Sequence, residues 1–232
     1  GPDQVVAVAM SQDNWQIVAA HLGVIRAGGT LVVLDTALPD ALIAHMINDA
    51  RPIVVLTRGQ SKFRDLPTLD VLTLPERASK RNLPPWLDDP TQRLATIFYT
   101  SGTTGMPKGV ALSHANLAAN ARAAAELYEL DRHEWAVAVL PLSHSYGLTL
   151  MNAGNILGTR AVLLRWFNPE AVLETIQQYR ATSMSGVPTM FVYLLNYPDA
   201  DRFDTSSMRV WGSGAAPLPV ELVEPFERKF GG

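Results

Sequence analysis

The 232-residue sequence has no cysteine. It therefore has no disulfide framework, no thiolate nucleophile and no cysteine-based zinc site. That absence fits a reducing compartment, and a cytoplasmic location is the expectation. Nowhere do about 20 apolar residues follow one another, so no transmembrane segment is expected. The opening GPDQVVAVAM lacks the charged stretch and long apolar run of a secretory signal. Neither charge sign dominates: 19 Lys and Arg against 22 Asp and Glu leave a formal charge of -3. The positive residues are scattered, so no nucleic-acid partner is expected. Internal repeats and low-complexity tracts are also missing.

What is present is a composition 47% apolar and 18% charged, enough to bury about 70% of the unfolded surface. Short β-branched runs at 5–10, 31–34, 53–56, 69–74, 94–100, 136–140, 160–164, 182–185 and 209–211 read as strands. They are apolar on both faces, as in buried parallel sheet. Between them, Trp15, Val18, Ala19, Leu22 and Ile25 form one helical stripe, and Leu42, Ile43, Met46 and Ile47 another. Pro39 and the pair Asn168-Pro169 signal helix starts, and alanine-rich 115–125 suits a helix. Strand–helix alternation predicts an α/β layered fold. Residues 79–90, with Pro84, Pro85 and Pro90, read as a surface connection, and 131–134 as a second seam. Gly1-Pro2 and Gly231-Gly232 read as cut edges of a longer protein.

The segment with chemistry is 99–110, YTSGTTGMPKGV. It reads as an apolar strand, then a loop, then a helix from Ser113 or His114. Three glycines allow close approach of the backbone, the hydroxyls of Ser101, Thr103 and Thr104 can donate to phosphate oxygens, and Lys108 adds a mobile cation. It is not a P-loop, because Pro107 and Gly109 flank the lysine where that motif has Gly and Ser or Thr. A flexible Gly/Ser/Thr linker is the plain alternative, which Pro107 and Lys108 at fixed spacing disfavour. The GSGAAP run at 212–217 ends in proline and does not match a dinucleotide fingerprint. His21, His45, His114 and His133 lack metal-ligand spacing, and no G-x-S-x-G surrounds Ser185.

YTSGTTGMPKGV resembles the signature loop of the adenylate-forming (AMP-binding) superfamily, which includes acyl-CoA synthetases, luciferases and nonribosomal adenylation domains. Other segments resemble it in the same order. They are Ala27-Gly28-Gly29-Thr30 leading through Leu34-Asp35 to Pro39, PLSHSYG at 141–147, GVPTMF at 186–191, and GSGAAPL at 212–218. The resemblance covers essentially the whole chain and is greatest to the N-terminal domain of a fatty-acyl-CoA synthetase. It implies two stacked α/β subdomains with mainly parallel sheets flanked by helices, about 1–131 and 132–232, with the active cleft between them.

The resemblance also implies roles. Thr100, Ser101, Gly102, Thr103, Thr104, Gly105 and Lys108 would embrace the phosphates of ATP, with Thr104 near Mg2+. Gly214, Ala215, Ala216 and Pro217 would form the wall for adenine. His144 would approach the substrate carboxylate and, with Lys108, serve catalysis; a hydrogen-bonded structural histidine is the alternative. Ser143 departs from the aromatic residue usual beside it, and no Asp is present there to hold an amino group, which disfavours amino-acid substrates. Met184, Met190 and Phe191 suit an apolar acyl chain or simple core packing. The implied reaction joins a small carboxylic acid to AMP and then to coenzyme A as co-substrate. The family's later Glu, Asp and Lys segments are absent, so the chain by itself is expected to be inactive without the missing C-terminal part of the same enzyme. The alternatives are a non-catalytic nucleotide-binding or scaffold fragment and a luciferase-type monooxygenase.

Overall fold

The computed structural model describes residues 4–10, 15–59, 63, 65–74, 91–100, 105–128 and 130–232. The chain divides into two compact units, Gly1–Ala119 and Asn120–Gly232.

The first unit holds β1 (Val5–Ala9), α1 (Trp15–Arg26), β2 (Thr30–Val33), α2 (Asp40–Ala50), β3 (Val54–Thr57), β4 (Thr68–Asp70), β5 (Leu94–Thr100) and β6 (Lys108–Ser113). Its sheet runs β4-β3-β1-β2-β5-β6. All pairings are parallel except β5 with β6, which is antiparallel. Central β1 reads VVAVA without polar alternation because it has strands on both sides and buried residues on both faces. The core joins Ala7, Val32, Leu34 and Val55 of the sheet to Ile43 and Met46 of α2.

α1 packs on β1 and β2, but not through the expected stripe. Its buried residues are Ile17, His21 and Val24, whereas Trp15 is 70% exposed and Leu22 44%. Residues 17, 21 and 24 also share a helical face. A helix apolar nearly all round gives periodicity no means of choosing between the two.

The division between units falls within α3 (His114–Leu127). The second unit then carries β7 (Trp135–Ala138), α4 (Ser145–Leu157), β8 (Arg160–Leu163), α5 (Pro169–Tyr179), β9 (Ser183–Gly186), α6 (Pro188–Leu195), β10 (Val210–Ser213) and α7 (Val223–Phe230). Its four strands are all parallel in the order β10-β9-β7-β8. The fold is thus mixed α/β with mainly parallel sheets flanked by helices. α5 begins as its sequence demands: the Asn168 side chain accepts from the Ala171 amide at 3.0 Å, and Pro169 opens the first turn. It buries Val172, Leu173 and Ile176 against Val137, Met184 and Leu194. Met184 and Phe191 are core residues of this cluster, and Met190 packs on it.

An aromatic wedge supports β10. The Trp211 ring meets Phe226 at 5.0 Å, edge to face, Phe226 meets Phe230 at 4.7 Å, and Trp211 Nε1 donates to the Gly231 carbonyl at 3.0 Å. Ahead of β10, Arg209 grips Glu134 with two hydrogen bonds of 3.1 and 2.9 Å. Among the described residues no helix is long and apolar enough to cross a membrane.

Leu173 is fully buried and Leu127 is 76% exposed. Leu173→Ala is expected to cost about 2–5 kcal/mol in urea denaturation, while Leu127→Ala stays within about 0.5 kcal/mol. Equal losses would contradict this placement of the core.

Candidate functional site

The candidate segment of the first unit is a β-hairpin, not a strand leading by a loop into a helix. β5 ends at Thr100, and the chain returns at Lys108 as β6, with Thr100 opposite Lys108 and Tyr99 opposite Gly109. α3 follows only then, from His114. The missed strand is KGVALS, whose Val110 and Leu112 alternate with smaller or polar residues. Its brevity and its two glycine-proximal positions hide that signal. As an edge strand with exposed residues 108–111, it did not need the apolar run that marks the buried strands.

Thr100 and Lys108 are both exposed, so the two arms present a hydroxyl and a cation to solvent at the last pair before the connecting loop. Gly105 is exposed and has φ 89°, a left-handed conformation that side chains resist and glycine accepts. Ser101, Gly102, Thr103 and Thr104 lie outside the described residues. Both hairpin arms touch α2. The Tyr99 hydroxyl donates to Asp49 Oδ2 at 2.7 Å and lies 3.1 Å from the Met46 carbonyl. His45 Nε2 lies 2.9 Å from the Pro107 carbonyl. Burial, and next the hydrogen bond and charge of Asp49, push the Tyr99 phenol well above its usual range, so it stays a donor.

The candidate segment of the second unit follows β10. Gly214, Ala215, Ala216 and Pro217 leave the strand end, the last three exposed, and the Gly214 amide donates to the Gly186 carbonyl at 3.1 Å. Ala215 has φ 66°, which turns the chain sharply beyond the sheet. Gly214 is required by its neighbour, since a Cβ there would lie 2.8 Å from Cε1 and 2.9 Å from Cζ of Tyr146. The buried Ser213 Oγ has no hydrogen-bond partner among the described residues. A small-residue turn with a free buried hydroxyl at its root suits a flat polar ligand lying against backbone.

Tyr146 was not foreseen. Its hydroxyl meets that of Tyr128 at 2.9 Å and also bonds Ser185. Burial, then the Tyr128 bond, raise its pKa well above the ordinary phenol range. Nothing in the local sequence joins residues 128, 146 and 185, so only the sheet order reveals them.

His144 is exposed at the N-cap of α4 with extended backbone, and its ring makes no capping hydrogen bond. The His144 amide donates to the Pro141 carbonyl, and its own carbonyl accepts the first intrahelical bond from the Leu148 amide, both at 3.1 Å. The residue therefore begins a helix, and its imidazole is left out of the capping. Among the described residues no three His, Cys, Asp or Glu side chains come together to hold a metal.

Residues 1–232 match the AMP-binding enzyme family. The chain belongs to that family. Among curated members, the chain is 40% identical over 147 residues to a long-chain-fatty-acid–CoA ligase of Bacillus subtilis, a stretch covering 62% of this chain and 26% of that one. It is 32% identical over 197 residues to a feruloyl-CoA synthase of an Amycolatopsis species, covering 83% of this chain and 38% of that one. Among solved structures, ATP-bound MatB from Rhodopseudomonas palustris superposes on all of this chain and 48% of its own, with TM-score 0.85 and 29% identity. This AMP-binding family chain thus spans at most about half the length of these relatives.

The close contact between Gly214 and Tyr146 supplies a test. Gly214→Ala is expected to destabilise the chain by about 1–3 kcal/mol. In a Tyr146→Ala background the same change should cost under about 0.5 kcal/mol, because the clashing ring is gone. Urea denaturation of the double-mutant cycle measures both.

Proposed function

We propose that this chain carries the nucleotide-handling part of an ATP-dependent enzyme that joins a carboxylic acid to AMP and then passes the acyl group to coenzyme A. The observation that carries this reading is the hairpin. Pairing of Thr100 with Lys108 brings both ends of the signature loop together and stands an exposed cation beside them. Pyrophosphate leaves during adenylation, and the negative charge that builds on it is stabilised by such a cation and by hydroxyl and amide donors.

In this reading Thr100, Ser101, Gly102, Thr103, Thr104, Gly105 and Lys108 receive the phosphates, and Gly214, Ala215, Ala216 and Pro217 receive adenine. His144, whose ring is not spent on capping, orients the acid's carboxylate. Thr104 is a candidate contact for Mg2+, which would supply further positive charge to the phosphates. The complete reaction belongs to a protein that also contains the remainder of its relatives' length, and the chain alone is expected to be inactive. The acid is a fatty acid, a choice supported by the Bacillus relative. The feruloyl relative makes aromatic acids the comparison that a thioester assay on the longer protein must include. A cytoplasmic location belongs to the same reading.

The direct test is nucleotide binding by the 232-residue chain. A charge-assisted contact is worth about 1.5–3 kcal/mol, so Lys108→Ala should weaken ATP binding by about ten- to a hundredfold. AMP binding and the thermal midpoint should stay near wild type. An ATP affinity that ignores Lys108 would overturn the assignment.

A further inference from the structure

We infer that His45 and Asp49 of α2 are positioning residues for the phosphate-handling hairpin, holding Lys108 in place through its neighbours without touching the ligand. The inference rests on the proposed role of Lys108 and adds to it residues outside the signature loop. Two contacts carry it, one on each arm. On the returning arm His45 Nε2 lies 2.9 Å from the carbonyl of Pro107, the residue before Lys108. A carbonyl only accepts, so Nε2 carries the proton. On the outgoing arm the hydroxyl of Tyr99, the residue before Thr100, donates to Asp49 Oδ2 at 2.7 Å.

The spacing is mechanical. Residues 45 and 49 are one helical turn apart, so they project from one face of α2. Tyr99 is one residue below the Thr100–Lys108 pair on the outgoing arm, and Pro107 is one residue beyond the pair on its loop side, just before β6 begins. One helix face therefore holds the chain on both sides of the pair that carries the exposed cation, through Tyr99 before Thr100 and through Pro107 before Lys108. Pro107 fixes its own φ and donates no hydrogen bond, so the His45 contact adds a restraint at a point where the chain has one donor fewer. Met46, between the two, is 3% exposed in the core. The clamp is thus anchored to a part of α2 that cannot shift without disturbing that packing.

A clamp of this kind makes a prediction that simple helix packing does not. Loosening the hairpin should weaken ligands that need the phosphate loop and spare those that do not. His45→Phe keeps a ring and removes the donor; His45→Gln restores an N–H at the ε position. Tyr99→Phe cuts the second contact independently. The measurements are Kd values of the 232-residue chain for ATP, inorganic pyrophosphate and AMP, with thermal midpoints recorded beside them.

His45→Phe and Tyr99→Phe should each weaken ATP and pyrophosphate by about three- to tenfold, the worth of one hydrogen bond. AMP should change less than about twofold, and His45→Gln should return ATP to within about twofold of wild type. Equal weakening of all three ligands, or an unchanged ATP affinity in His45→Phe, would overturn the clamp and leave the proposed function standing. A wild-type chain that binds AMP but neither ATP nor pyrophosphate would overturn the reading of the hairpin, and the clamp with it.

Discussion

The main-chain pairing of Thr100 with Lys108 is the constraint on which the candidate segment of the first unit depends. Strand side chains alternate between faces, so a slip of one residue would turn Lys108 to the other side of the sheet. The register is held from below. β5 lies parallel to β2 with Leu31 opposite Thr96, where the buried Thr96 hydroxyl donates to the Leu31 carbonyl at 3.0 Å and the Thr30 hydroxyl reaches the Leu94 carbonyl at 3.3 Å. β6 has β5 as its one strand neighbour in the sheet. The contacts from α2 fall on Tyr99 of β5 and on Pro107 just before β6 begins, which steadies the chain on either side of the pair.

The candidate segment of the second unit rests on a different solution to a similar problem. β10 is also an edge strand of its sheet, and it is steadied by side-chain packing: Trp211 sits among Phe191, Phe226 and Phe230. One residue later the need reverses. Gly212 and Gly214 leave room for the rings of Tyr128 and Tyr146, which bond each other through their hydroxyls. Bulk below and its absence above let the 214–217 turn stay exposed while its root is fixed.

Much of the architecture was legible because it follows from short-range chemistry. Asn168-Pro169 starts a helix wherever it stands, since the cap and the fixed proline φ act within one turn. The buried parallel strands were legible for a related reason, because both of their faces must be apolar. β6 was not, since an exposed edge strand obeys neither rule. The buried face of α1 was misread because its neighbours, and not its periodicity, decide between two apolar stripes. His45 was dismissed as a metal ligand and given no other role. Its partner lies 62 residues away, and no local pattern encodes that contact.

The sequence by itself determined the family and the mixed α/β class, because glycine, proline and lysine at fixed spacing and strands apolar on both faces restrict the backbone within a few residues. The tertiary structure alone decided that Tyr99-Thr100 and Lys108-Gly109 pair as antiparallel strands, that α2 contacts Tyr99 and Pro107, and that Tyr146 forces glycine at 214. Those are contacts between residues far apart in the chain. Their existence depends on sheet order and helix placement, which the packing of the whole unit settles and no local stretch specifies.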